Sequence, residues 1–346
     1  MKNKKIIVII SGIIVVLIVG MIIFYNVGIS ATSSKDEEVI VTIEQGSTAS
    51  QMLDTLDEAG LVKNKLCGQI FLKLNHYDNL QANTYVLNKN MSLSQIFSVI
   101  EDPDIQYILL SKLTIKEGTT IPEVAKEFAG ILDISADEVI KQWDDQDYLQ
   151  SLIDEYWFMD ESILDKDILY PLEGYLYPET YYITEQEPDL KSMTKLALDM
   201  MDERLSAYQE DIEKMGWTPH QFLTFASVVE RESLYDEDRP KIAGVFMNRL
   251  NKDMLLQSDI TVNYAWQRTG VDVSVAHTQI DSRYNTYKYT GLPIGPISTV
   301  SKVTIEACIN YVHHDDYYFF AKEDGTVIYS HTYKEHQKAV EENRWY

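Results

Sequence analysis

Val41-Thr-Ile-Glu-Gln-Gly-Ser-Thr-Ala-Ser-Gln51 is echoed 72 residues later by Leu113-Thr-Ile-Lys-Glu-Gly-Thr-Thr-Ile-Pro-Glu123, and this internal repeat decides the fold class. Each copy reads as a short alternating strand, a glycine turn and the start of a helix. Thr48 with Gln51, and Thr120 with Glu123, form capping boxes in which hydroxyl and N3 side chain satisfy orphan backbone N–H groups. Met52, Leu53 and Leu56 carry the first helix onward on one face, and Gly60 ends it. A third unit, Thr84-Tyr-Val-Leu-Asn-Lys-Asn-Met-Ser-Leu-Ser-Gln95, repeats the design, with Ser92 and Gln95 as cap and Ile96, Val99 and Ile100 turned inward. Units of this kind predict an α+β fold.

Toward the N-terminus, Asn26 to Glu38 is a small polar tether, and before it Ile6 to Tyr25 carries no charge. Twenty such residues at about 1.5 Å each match a hydrocarbon core of roughly 30 Å. Lys2, Lys4 and Lys5 precede this run and every acidic residue follows it. The pattern predicts a single N-terminal transmembrane helix with a cytoplasmic tail over residues 1–5 and the rest outside. A cleaved signal peptide fits less well, because its apolar region is shorter and Gly28-Ile-Ser-Ala31 is a poor cleavage site.

The 346 residues include 54 Asp+Glu against 30 Lys+Arg, a net charge of −24. A field of that sign repels phosphate backbones and argues against nucleic acid as a partner. Two cysteines, Cys67 and Cys308, lie in apolar runs and read as buried side chains; they exclude a disulfide scaffold.

Ser135 to Asp165 is acidic and helical, with Trp143, Tyr148, Tyr156 and Trp157 as its apolar mass. Tyr170 to Ile183 is aromatic and holds two prolines and a glycine, so it reads as a structured loop with extended pieces. Beyond the helical stretch Leu190 to Met215, Thr218, Pro219 and Gln221 open a strong helix. In it Phe222, Phe225, Ala226 and Val229 form one apolar stripe. At about 100° per residue Glu230 falls near +80° from Phe222 and Glu232 near −80°, flanking the stripe on opposite sides. A carboxyl at such a rim is partly desolvated, which raises its pKa and suits a general acid. Geometry alone does not choose between the two, nor between catalysis and two solvated glutamates.

Three further segments are too polar and aromatic for a core: Leu256-Gln-Ser-Asp-Ile-Thr-Val262, Tyr284-Asn-Thr-Tyr287 and Gly291-Leu-Pro-Ile-Gly-Pro-Ile297. Directional amides, a carboxylate and aromatic faces on rigid loops suit a sugar.

With these motifs on view, the chain resembles the YceG-like endolytic murein transglycosylases. The match runs over nearly the whole chain, through Leu172-Glu-Gly-Tyr-Leu-Tyr-Pro-Glu-Thr-Tyr181, Ala226-Ser-Val-Val-Glu-Arg-Glu232, Val245-Phe-Met-Asn-Arg-Leu250 and the three segments above. Tyr318-Phe-Phe-Ala321, His331 and His336 fit as well. Ile260 and Ile294 stand where a proline is common, and Asn83 replaces a usual glycine.

The resemblance implies a transmembrane helix over 6–25, a tether over 26–38 and a LysM-like module over 39–110. A second α+β or helical segment follows over 111–168, and a mixed α+β catalytic domain over 169–346. It implies a single catalytic glutamate, carried over to Glu230, with Gln257, Asp259, Asn285, Tyr287 and Glu173 as candidates for holding sugars. It also implies peptidoglycan strands as substrate, cut between N-acetylmuramic acid and N-acetylglucosamine to leave 1,6-anhydro ends, thereby limiting nascent strand length. The expected place is the bacterial cell membrane with the catalytic domain outside, the expected partners are cell-wall synthesis or division proteins, and no cofactor is expected.

Two rivals stand beside it, a hydrolytic muramidase using Asp259 or Glu173 as a second carboxylate and a non-catalytic wall-binding scaffold. A metal site is not expected: neighbours such as His313-His-Asp-Asp316 converge poorly on one ion, and no His-Glu-x-x-His run occurs.

Overall fold

The computed structural model describes residues 2–75, 77, 79–103, 107–184, 188–268 and 274–344, with side chains from residue 12 onward. The chain divides into two compact units, residues 1–112 with 182–187, and residues 113–181 with 188–346.

In the first unit α1 (Lys2–Gly28) precedes β1 (Glu38–Thr42), α2 (Ala49–Glu58), α3 (Lys65–Leu74), β2 (Thr84–Asn88) and α4 (Leu93–Glu101). β1 and β2 pair antiparallel, Glu38 opposite Asn88 through Thr42 opposite Thr84. The helices bury their predicted faces against this ribbon: Met52, Leu53, Leu56, Ile96 and Ile100 join Tyr85 and Leu87 in one core. Both predicted caps form, with Thr48 and Ser92 donating their backbone N–H to Gln51 and Gln95 at 2.8 Å each. Gly60 takes φ +75°, the left-handed conformation that ends α2.

The expected membrane anchor is corrected here. Among the described residues no helix is long and apolar enough to cross a membrane. The side chains of Lys2, Lys4, Lys5 and residues 6–11, on which part of that expectation rested, lie outside the described ones. The end of α1 is moreover committed to protein: the Cys67 thiol lies 3.7 Å from the Phe24 carbonyl, and Tyr25 and Ile29 pack on the core. The contact to a membrane through one helix falls with the anchor.

In chain order the other elements are β3 (Ser111–Thr114), α5 (Ile121–Leu132), α6 (Ala136–Trp143), α7 (Gln146–Glu155) and β4 (Thr180–Ile183). Then come α8 (Leu190–Ser206), α9 (Gln209–Lys214), α10 (Pro219–Glu232), α11 (Arg239–Leu250) and α12 (Asp259–Ala265). α13 (Lys302–Ile309), β5 (Tyr318–Ala321), β6 (Val327–Ser330) and α14 (Tyr333–Asn343) complete the chain. β3 pairs with β4, and β5 with β6 in an antiparallel hairpin. Of residues 111–168, read from sequence as a segment of their own, those from Leu113 onward belong to the second unit. There Phe128 meets the Trp143 ring edge-on at 5.0 Å, and the Trp143 indole donates to Thr194 of α8 at 2.9 Å.

At the centre of the second unit, α10 is buried at His220 and then at every residue from Phe222 through Glu230. The sequence had offered one apolar stripe. The difference is that Thr224 and Ser227 pass as core residues, their hydroxyls donating to the carbonyls of His220 (2.7 Å) and Thr224 (2.8 Å). Cys67 and Cys308 are buried free thiols.

Candidate active site

α10 begins on its predicted cap: the Gln221 N–H donates to the Thr218 hydroxyl at 3.2 Å, and the Thr218 N–H to the Gln221 side chain at 2.9 Å. Such a cap contributes about 1 kcal/mol. The helix then seats the proline-rich loop, because Ser227 also accepts the Ile297 N–H at 3.0 Å. From the other side the Leu172–Tyr175 turn closes on that loop. Gly174 has φ +81°, and a Cβ there would lie 2.4 Å from Pro296 Cβ. Only glycine meets both conditions.

The two glutamates of α10 have different surroundings. Glu230 is 6% exposed. One of its oxygens accepts from Arg239 Nη2 at 3.0 Å; the other accepts the Ser301 N–H at 2.9 Å and the Ser301 hydroxyl at 2.7 Å. Arg239 Nη1 also donates to Ser301 Oγ at 3.0 Å and pairs with Asp236 at 3.1 Å. Three donors from α11 and the start of α13 thus close around Glu230, binding three helices through one buried ion pair.

Glu232, at the last turn of α10, is half-buried and accepts the Ser258 hydroxyl. Burial pushes its carboxyl up to about 7; Asp259 adds to the rise, while Ser258 and Arg249 oppose it. Burial also raises the Asp259 carboxyl, against the pull of the Tyr287 hydroxyl, which donates to it at 2.6 Å. Burial, then Asp259, push the Tyr287 phenol up in turn.

These groups are held by backbone clamps. Gln257 donates its N–H to the Thr286 carbonyl at 3.1 Å, and Ser258 its N–H to the Thr286 hydroxyl at 3.0 Å. Arg249 donates to the carbonyls of Leu256 (2.8 Å), Leu255 (3.1 Å) and Tyr317 (2.6 Å), tying that loop to the C-terminal hairpin. Burial holds its guanidinium below the ordinary value.

Of the residues singled out from sequence, Asp259 and Tyr287 therefore meet beside Glu232, with Gln257 on the same loop. Gln257 is exposed, at φ +50°. Asn285 is fully buried and engaged in its own turn: its amide donates to Thr278 (2.9 Å) and Ile280 (2.8 Å), and its oxygen accepts the Tyr287 N–H at 3.0 Å. It shapes the loop that carries Tyr287. Glu173 is 1% exposed and caps α5, accepting the Ile121 N–H at 3.0 Å and the Tyr264 hydroxyl at 3.0 Å. Burial pushes its carboxyl up to about 8.

Sequence reasoning missed Arg239, Ser301 and Arg249. Arg239 follows Asp236-Glu-Asp238, where a cation reads as solvated charge, and Ser301 lies 71 residues from its glutamate. In the His313–Asp316 stretch, the ring nitrogens of His314 are taken up by the Lys241 carbonyl and the Asp316 N–H, at 3.0 Å each.

A desolvated carboxyl that titrates near neutrality, beside a second carboxylate and a phenol, can deliver a proton and take it back. Comparison with known proteins points to a matching chemistry. The YceG-like family model matches residues 41–342. An endolytic murein transglycosylase of Streptococcus pneumoniae is 36% identical over 331 residues, covering 91% of this chain and 60% of its own length. One from Bacillus subtilis is 33% identical, covering 94% of this chain and 91% of its own. The chain thus spans 60% of the length of the pneumococcal relative. A crystal structure of a YceG-like protein from Listeria monocytogenes superposes with a TM-score of 0.64 at 33% identity, covering 88% of this chain and all of that one.

Proposed function

The chain belongs to the YceG-like family, and on that premise we propose that it is an endolytic murein transglycosylase, cutting peptidoglycan strands at internal N-acetylmuramic acid–N-acetylglucosamine bonds. The observation that carries the reading is the Glu232 carboxyl, pushed up to about 7 beside Asp259 and Tyr287. The resemblance alone points to Glu230 as the acid. We assign the role to Glu232, because both oxygens of Glu230 are taken by Arg239 and Ser301, whereas among the described residues Glu232 has only the Ser258 hydroxyl.

Protonated Glu232 gives its proton to the glycosidic oxygen as the bond to C1 of the muramic acid residue breaks. An oxocarbenium-like sugar forms. Its own C6 hydroxyl attacks C1 and returns a proton to Glu232, closing a 1,6-anhydro ring and restoring the acid. An intramolecular nucleophile has a high effective concentration and needs no bound water. Asp259, with Tyr287, lies where a negative charge steadies the cationic sugar; Gln257 is the exposed amide for a sugar hydroxyl or acetamide. The work is done at the cell envelope, where such strands lie, and internal cuts limit their length.

The second carboxylate also favours one rival. If Asp259 positions a water, the enzyme is a muramidase. Digesting purified strands in oxygen-18 water separates the two. Anhydro ends without label are expected, and labelled reducing ends would overturn the transglycosylase reading. Release of terminal disaccharides alone would overturn the endolytic part.

A further inference from the structure

A pocket of about 200 Å³ opens in the second unit between α5, the last turn of α10 and α12. Its walls include Lys126, Arg231 and Arg268, with Tyr264 and Ile260 as apolar surface and, among the described residues lining it, Glu123 as the carboxylate. In a chain of net charge −24, three cations around one small cavity are out of keeping with the rest of the surface. That carboxylate is engaged: Glu123 accepts the Thr120 N–H at 2.8 Å and its hydroxyl at 3.0 Å as the cap of α5. Arg231 is braced by the Gly118 carbonyl at 2.7 Å, and Arg268 rests on the His277 ring. The braced guanidinium keeps further donors for a ligand.

The pocket is tied to the reacting centre through two elements. Arg231 sits between Glu230 and Glu232 on α10, and Ile260 follows Asp259 on α12. At about 200 Å³ the pocket is below the size of ordinary ligand pockets, about 300 Å³ and upward, so it takes a small charged substituent and not a further disaccharide.

Resting on the function proposed above, we propose that this pocket binds a carboxylate carried by the muramic acid residue at the cut, making Lys126, Arg231 and Arg268 specificity-determining residues. Two sources share that chemistry: the free carboxylates of an attached peptide, and the lactyl carboxylate left when the peptide is removed. Paired cations recognise either through charge-assisted hydrogen bonds.

The test compares wild type with the double variant Lys126→Gln/Arg268→Gln on three substrates. These are strands with their peptides, the same strands with carboxylates amidated, and strands stripped by an amidase. On the first, the variant should raise KM about tenfold with kcat unchanged, the scale of losing two partly screened charges. On amidated strands wild type should lose a similar factor and the variant nothing further. An effect that also appears on stripped strands, where the lactyl carboxylate is first freed, shows that the pocket takes that group too, and one that vanishes there confines it to the peptide. Equal KM values for wild type on amidated and unmodified strands, or an equal loss by the variant on both, would overturn the proposal. If wild type cuts none of the three, the activity reading fails on its own. The pocket is then judged by calorimetry with an N-acetylmuramyl peptide. Binding about tenfold weaker in the double variant upholds it, and equal binding overturns it.

Discussion

Two positions apart on α10, Glu230 and Glu232 divide structure from chemistry on the proposed assignment. Glu232→Gln removes a transferable proton and little else, so activity on glycan strands should fall by about 10²–10⁴, with the melting temperature held. Glu230→Gln leaves the buried Arg239 cation with only the exposed Asp236 as its counter-ion among the described residues, at a cost of about 3 kcal/mol; melting should drop, and activity remaining below that temperature should keep the wild-type pH profile. A fully active Glu232→Gln enzyme would return the acid's role to Glu230. The profile itself follows from the proton. Glu232 must be protonated to start the reaction, so kcat should decline as pH rises through about 7. Stability runs in the same direction. The unfolded carboxyl loses its proton near 4.5, while the folded one keeps it to about 7, and that of Glu173 to about 8. Between these limits the unfolded state binds fewer protons, so stability falls with rising pH. Titrating unfolding of Glu173→Gln against wild type over pH 4.5 to 8 should show a shallower decline.

Among the elements, local chemistry wrote the helix starts plainly. Thr48, Ser92, Thr120 and Thr218 cap where their spacing to Gln or Glu predicts. What the spacing could not convey is how loops meet helices. Asn285 looks like a sugar ligand from its neighbours, yet it is consumed by its own turn, a contact set by carbonyls five and seven residues back. Gly174 belongs to the same class, since its need arises from Pro296, over a hundred residues away. Gly174→Ala should lose about 1–3 kcal/mol from the left-handed backbone alone, and more from the clash. Urea unfolding would measure it, and an unchanged midpoint would mean that the turn and the proline-rich loop do not rely on each other. The tie between the two carboxylates was illegible for a similar reason. Its resolution lies in Ser301 and Arg239, which no helical wheel contains.

For the whole molecule, periodicity marked the α+β class, while the boundaries depended on long-range packing. The segment 169–346 has the aromatic and polar motifs, but α5 to α7 bury Phe128, Trp143 and Leu149 in the same unit and Glu173 caps α5. A fragment 169–346 is therefore expected to expose that surface and fail to fold, whereas 113–346 should give dispersed amide resonances and a cooperative melt. Dispersed spectra from the shorter fragment would contradict this.

The ion pair around Glu230 also sets an order in time. A ribosome delivers residue 230 well before Ser301, and at about 5–20 residues per second the 71 intervening residues take roughly 4 to 14 s. Arg249 waits almost as long for Tyr317, 68 positions on. Until those partners emerge, α10 has a buried charge with half its shell missing and the loop bearing Ser258 has no anchor at the hairpin. On the proposed function, the newborn chain stays inert toward its substrate until Tyr317 has been made, and a polypeptide released before Ser301 never acquires the power to cut.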